Sequence, residues 1–267
     1  MTKVFNIILI FYSFHYSPCL KKQRSLVKYH FNKKGTLLGS FTQYILTQIR
    51  LRLRINFFPS FNSSHSQFGE DMILRSLIGN KKNGFFIDIG AHHPYFYSNT
   101  FHFYLKGWRG LSIDALPGSM KTFNKLRPQD INVEACIGPK AGEEVTFYEF
   151  SKPALNSFDS EYAKKMEASG ERIVETHSLK TETLENIIKY KGLEGKEIDF
   201  LSIDIEGVDE IVLRSLDFKK VKPKIIVFEN HEHNPMNPTH TSMLNYLSKF
   251  GYNLVAQTGP SLIVSHS

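Results

Sequence analysis

Four short apolar runs set the limits on this chain: residues 85–90 (FFIDIG), 110–114 (GLSID), 198–205 (IDFLSIDI) and 223–229 (PKIIVFE). Continuous apolar runs of this length read as strands buried on both faces, which belong to parallel sheets covered by helices. Each run carries an acid at or near its carboxyl end: Asp88, Asp114, Asp204 and Glu229. In open parallel sheets ligands bind beyond those ends, where the chain reverses direction. The pattern therefore predicts an α/β sheet with an acid-rimmed crevice.

The intervening segments fit. Helical spacing covers residues 71–79, 183–190, 208–216 and 241–250, a helix capped at Ser98 or Asn99 runs to Leu105, and Pro117 opens another to about Leu126. Further strands are expected at 131–137 and 144–150, and a hairpin at 253–257 and 261–265 turns across Thr258-Gly259-Pro260. The expectation is a Rossmann-like, mostly parallel seven-stranded sheet with an antiparallel C-terminal hairpin. Residues 151–178 are polar and poorly periodic apart from a helix at 159–168, which suits an inserted lid or substrate loop.

Charge divides the chain. The net charge is +7, yet residues 1–69 hold ten Lys/Arg and no acid, whereas residues 70–267 hold 23 basic and 26 acidic residues. The basicity belongs to a tail, residues 1–58, joined by a linker at 59–65 to a domain at 66–267, and the body offers no nucleic-acid footprint. In the tail, the 13-residue apolar run at 4–16 is too short to span a bilayer comfortably. Residues 42–58 place Arg50, Arg52 and Arg54 opposite Ile49, Leu51, Leu53 and Ile55. An anionic membrane surface is the expected partner of such a tail, with a signal segment or an edge element of the body as alternatives. Two cysteines, Cys19 and Cys136, supply no disulfide framework. A cytoplasmic protein, peripheral at the inner membrane face, is the expectation.

The strand-end acids suggest the ligand. Asp114 follows Gly90 by 24 residues, the spacing of a carboxylate that accepts both hydroxyls of a ribose from the neighbouring strand. The loop Gly90-Ala-His-His-Pro94 lacks the later glycines of G-x-G-x-x-G that admit a pyrophosphate. A nucleoside without a diphosphate fits, S-adenosylmethionine above all, its sulfonium favoured by Asp88 and Asp204. A nicotinamide-dependent oxidoreductase is the alternative that the missing glycines disfavour, and a non-enzymatic membrane adaptor is another.

Several ordered motifs together resemble one family. Residues 66–71 (SQFGED), 84–91 (GFFIDIGA), 98–100 (SNT), 107–110 (GWRG), 199–207 (DFLSIDIEG) and 223–229 (PKIIVFE) look like the FkbM methyltransferases. The resemblance implies a class I S-adenosylmethionine-dependent fold and O-methylation of a sugar or natural-product hydroxyl, so the partner is a small-molecule or glycan acceptor. It implies that Gln67 faces the cofactor, that Ser98-Asn99 meets its methionine carboxylate and that Cys136 lies against the adenine, beside Asp88, Gly90 and Asp114. Asp114 stands where the family more often has Glu, and His92-His93 departs from its pattern. Asp204, Glu206 and His231 are the candidate catalytic residues. Asp204, Glu229 and Asn230 resemble the Asp/Asp-Asn set with which catechol-type methyltransferases hold magnesium, while His231 and His233 would favour a transition metal.

Overall fold

The computed structural model describes residues 63–230 and 242–266. The tail, residues 1–58, and the two histidines His231 and His233 lie outside the described residues.

Seven strands form the main sheet: β1 (Phe85–Ile89), β2 (Arg109–Asp114), β3 (Ile131–Glu134), β7 (Phe200–Ile203), β8 (Ile225–Glu229), β9 (Tyr252–Thr258) and β10 (Ser261–His266). Their order is β3-β2-β1-β7-β8-β10-β9, with β10 antiparallel to both neighbours and the other pairs parallel. The chain starts in the middle, builds outward to β3, and returns to the other side of β1, so β1 and β7 flank the reversal. This is the seven-stranded, Rossmann-like arrangement read from the apolar runs.

Side-chain alternation assigns the helices to faces. Ile87, Ile89, Leu111, Ile113, Leu201 and Ile203 pack against α5 (Leu184–Tyr190), α6 (Asp209–Ser215) and α7 (Ser242–Ser248). Phe86, Phe200 and Val227 point oppositely, onto Leu74 of α1 (Glu70–Ile78) and Phe103 of α2 (Phe101–Leu105). No helix among the described residues is long and apolar enough to cross a membrane.

Four local expectations are corrected. Helix α2 begins at Phe101 because the Ser98 hydroxyl accepts from the Thr100 and Phe101 amides, while the preceding loop is wound left-handed at His92 and Tyr97. The next helix, α3 (Met120–Leu126), starts after Pro117 because Gly118, at φ 84°, closes a turn first. The run 131–137 splits: Ala135 bonds the Asp114 carbonyl, then β4 (Cys136–Ile137) leaves the main sheet to pair with β6 (Ile173–Glu182). That strand was unforeseen inside the insertion. It pairs antiparallel with β5 (Glu144–Phe150), so β5 joins a second sheet, β4-β6-β5. Half of the β6 side chains are exposed and only Thr181 is buried; backbone pairing rather than an apolar stripe holds it, so periodicity could not reveal it. The insertion also contains helix α4 (Ser160–Ala168), capped by Asp159.

One fully buried cation ties the α1/α2 face together. Arg127, at the end of α3, donates from Nε to Asp130 at 2.7 Å and from Nη1 to the Thr100 hydroxyl at 2.9 Å, and Thr100 donates to Asp88 at 2.8 Å. Its guanidinium also stacks on Phe86, Tyr104 and Phe123. Asp130 accepts from the Gly110 amide, fixing β2 to the same group. Arg127→Met should preserve volume but strand two buried carboxylates, costing about 3–5 kcal/mol of stability. Urea denaturation measures this, and a loss below about 1 kcal/mol would show that the pairing matters little.

Candidate active site

A cavity of about 250 Å³ opens beyond the carboxyl ends of β1, β2 and β7. Gly90 lies at its floor with φ 76°, and a Cβ there would fall 1.7 Å from the Asp204 carbonyl oxygen. Only glycine permits this approach. Asp114 enters from β2, its Oδ2 accepting from the His92 amide at 2.8 Å and its Oδ1 from the Leu116 amide at 2.9 Å. Burial raises its pKa, and the two amide bonds oppose that shift. Two backbone donors thus aim one carboxylate into a wall lined by Leu116, Ala135, Ile137, Phe147 and Phe158. This combination, a fixed acid beside an apolar slot, suits a ribose and its base.

The SQFGED motif acts through its acids. Asp71, fully buried, accepts from the Ser64 and Ser66 hydroxyls and the His65 amide. Glu70 accepts from the Phe68 amide and from Ser261 of β10. Between these anchors, Gln67 is brought to the cavity.

Asp204 and Glu206 line the opposite side. Carboxylate oxygens of Asp204, Glu206 and Glu229 lie within 4.8 Å of one another. Burial first, then Glu229 and Glu206, raises the Asp204 pKa well above the ordinary value. Burial and Glu70 push Glu229 up to about 7. The insertion reaches this cluster: Ser157 donates to the Glu206 carbonyl at 2.6 Å, and Tyr162 of α4 hydrogen-bonds the Glu206 carboxylate. Burial and these acids push the Tyr162 hydroxyl up, keeping it protonated. Sequence reasoning missed Tyr162, which sits in a polar helix with no spacing signal.

Three expected cofactor contacts are not brought to the cavity. Asp88 shares the Phe86 side of β1 and is engaged with Thr100, under the sheet face. Asn99 donates to Ser202 at 3.0 Å. Cys136 is buried, its neighbours Ala135 and Ile137 being the wall residues. Strand alternation accounts for Asp88 and Cys136; each sits one residue out of phase. Asn230 gives its side-chain amide to Glu210 at 2.6 Å, so Glu206 rather than Asn230 completes the group around Asp204 and Glu229.

The strand order and the cavity at the reversal are those of a class I methyltransferase. A family profile described as the Methyltransferase FkbM domain matches residues 88–254. The chain belongs to the FkbM methyltransferase family and is an S-adenosylmethionine-dependent methyltransferase. No curated protein matches it significantly. Among solved structures it is similar to a TehB-like SAM-dependent methyltransferase from Corynebacterium glutamicum, with 8% identity, 84% of this chain and 100% of that chain covered, and a TM-score of 0.37. It is also similar to CalS11, a TDP-rhamnose 3′-O-methyltransferase, with 11% identity, 87% and 96% covered and a TM-score of 0.39. An O-methyltransferase from Bacillus cereus in complex with SAH gives 9% identity, 88% and 92% covered and a TM-score of 0.35.

The acid cluster has a consequence for stability. Glu229 holds its proton up to about pH 7 when folded, against 4.5 for an ordinary Glu. The native state therefore binds more protons than the unfolded state between those values, and stability falls as pH rises through them. Glu229→Gln should flatten that fall, which denaturation series from about pH 4.5 to about pH 7 would follow. An equal slope in wild type and variant would contradict the assignment.

Proposed function

We propose that this protein is an O-methyltransferase acting on a hydroxyl of a sugar or natural product, with the nucleoside held at Asp114 and the acceptor at Asp204, Glu206 and Glu229. The observation that carries the reading is the division of the cavity: a backbone-oriented carboxylate beside an apolar slot, and apart from it Asp204 and Glu206, whose carboxylate oxygens lie within 4.8 Å of that of Glu229. Gln67 and Gly90 are the other residues assigned to the cofactor.

S-adenosylmethionine supplies an electrophilic methyl group on a positively charged sulfur. The chain supplies position and a base. Three acids, Asp114, Asp204 and Glu206, line the cavity, and among the described lining residues there is no Lys or Arg, a charge balance that favours a cationic ligand. Glu229, pushed up to about 7, is matched to taking a hydroxyl proton near neutrality. Tyr162 orients Glu206, and Asp204 shares the proton economy of the cluster. His231 follows Asn230 directly and stays a candidate base on its sequence position.

A second reading has its own observation. Three carboxylates whose oxygens lie within 4.8 Å also match the oxygen ligands of a hard divalent cation such as Mg²⁺. Chelation distinguishes the two, since turnover that survives it removes a labile cation.

Two measurements test the main reading. Asp114→Ala should weaken S-adenosylhomocysteine binding by about 1.5–3 kcal/mol, as for a hydrogen bond to a charged group, and calorimetry reads it directly. Unchanged affinity in a folded variant sinks the ribose assignment. Glu229→Gln should lower turnover by about 10²–10⁴-fold while leaving homocysteine-form binding nearly intact. Wild-type turnover in that variant would free Glu229 from any part in the chemistry.

A further inference from the structure

The loop after β1 carries two consecutive histidines, and both line the cavity. His93 is held in a defined state. Its Nδ1 accepts from the Tyr95 amide at 3.3 Å and from the Phe96 amide at 3.2 Å. A ring nitrogen that accepts two N–H groups carries no proton, so the single proton of the neutral ring sits on Nε2. The ring is packed edge-on to Tyr95, with centroids 4.4 Å apart at 85°, and tilted against Phe96 at 5.0 Å. Burial, reinforced by the neighbouring His92, pushes its pKa down to about 4, so it stays neutral at physiological pH.

The amino-acid end of S-adenosylmethionine bears a carboxylate, which needs donors. With no Lys or Arg among the described lining residues, neutral groups must supply them. Ser98 and Asn99 are not among the residues that line the cavity, and the Asn99 amide donates to Ser202. Among the neutral lining groups, Ser157 gives its hydroxyl to the Glu206 carbonyl, and Gln67, Tyr97, Ser119, Thr122 and Asn156 are the other side chains with donors beside the two histidines. The cofactor's ammonium has only hydrogens to offer, so a fixed N–H donor can serve the carboxylate and not the amine.

We propose that His93, as a neutral Nε2–H donor locked by two backbone amides, binds the carboxylate of the cofactor's amino-acid end. The assignment rests on S-adenosylmethionine being the ligand of this cavity. It gives the His-His departure from the family pattern a role in binding rather than in acid–base chemistry.

The variant His93→Asn keeps an acceptor that can bond the Tyr95 amide as an Asx-turn does, but removes the Nε2–H. Calorimetry with two probes reads the result: S-adenosylhomocysteine, and 5′-methylthioadenosine, which keeps the nucleoside and sulfur but lacks the amino-acid end. His93→Asn should bind the first roughly ten- to a hundredfold more weakly and the second within about twofold of wild type. Equal loss for both probes would mean that His93 merely shapes the loop, and no loss for either would mean that it does not meet the cofactor; each overturns the proposal. Nitrogen-15 spectra of the free wild-type protein give an independent check. They should show the Nε2–H tautomer throughout the neutral range, whereas an Nδ1–H tautomer or an imidazolium near pH 6.5 would overturn the donor role. Should wild type bind no S-adenosylhomocysteine at all, the cofactor reading falls and the carboxylate assignment with it, an outcome distinguishable because the tautomer is read without ligand.

Discussion

The active cavity depends on one close approach. Where β1 ends and β7 ends, the Asp204 carbonyl oxygen passes so near Gly90 that a Cβ would stand 1.7 Å from it. The register behind this contact is set deeper in the sheet, where Ile87 faces Leu201 and Ile89 faces Ile203. Those apolar residues pack at 1% exposure or less, so sliding the strands would cost core burial before it changed the cavity. The Asp204 amide then bonds the Ile89 carbonyl, and the Gly90 and Ala91 amides both bond the Ile113 carbonyl. Three strand ends are thereby drawn together, and the acids at two of them, Asp114 and Asp204, open onto one space.

Concentrating acids in a small, partly apolar space costs solvation, and the cost is visible in the raised pKa values of Asp114, Asp204 and Glu229. Each of these carboxylates is less willing to ionise than in water. A cation entering the cavity reverses that preference, because every ionised acid then gains an attractive partner in a medium of low dielectric. The free protein and the loaded protein should therefore differ in proton content, with binding of a sulfonium ligand expelling protons from the cluster. The same logic links Tyr162 to the acids: a protonated phenol donating to Glu206 stabilises its ionised form without adding charge.

Much of this was legible in the sequence, for a physical reason. The strands of the four apolar runs, β1, β2, β7 and β8, are buried on both faces, so the runs are continuous and their ends carry acids, which gave Asp114 and Asp204 their places. Where burial stops dictating residue type, legibility stops too. Strand β6 is half exposed, with one buried residue, and was read as part of a lid, and the 131–137 run hid a change of sheet at Ala135. The misplaced site residues fail in a related way. A strand-end acid can be recognised from its position, but whether it faces the cavity or the sheet's other side turns on a single residue of phase. Asp88 fell on the side of Phe86 and became the partner of Thr100 and, through it, Arg127.

Backbone conformation was the least readable layer, and it is where the site is most specialised. Among the described residues three non-glycines have positive φ: His92 at 51°, Tyr97 at 53° and Glu206 at 40°. All three line the cavity. Left-handed backbone costs a non-glycine residue about 1–2 kcal/mol, so such residues persist only where surrounding contacts over-determine them. Those contacts can be named. The His92 amide is held by Asp114, the Glu206 carbonyl by Ser157, and the loop ending at Thr100 by the buried Arg127. Strain at His92 places the next ring, His93, where its Nδ1 meets two amides of the same loop and its remaining nitrogen is left as the donor. Two histidines at this point of the loop thus supply a fixed side-chain donor to a cavity that has no lysine or arginine among its described lining residues.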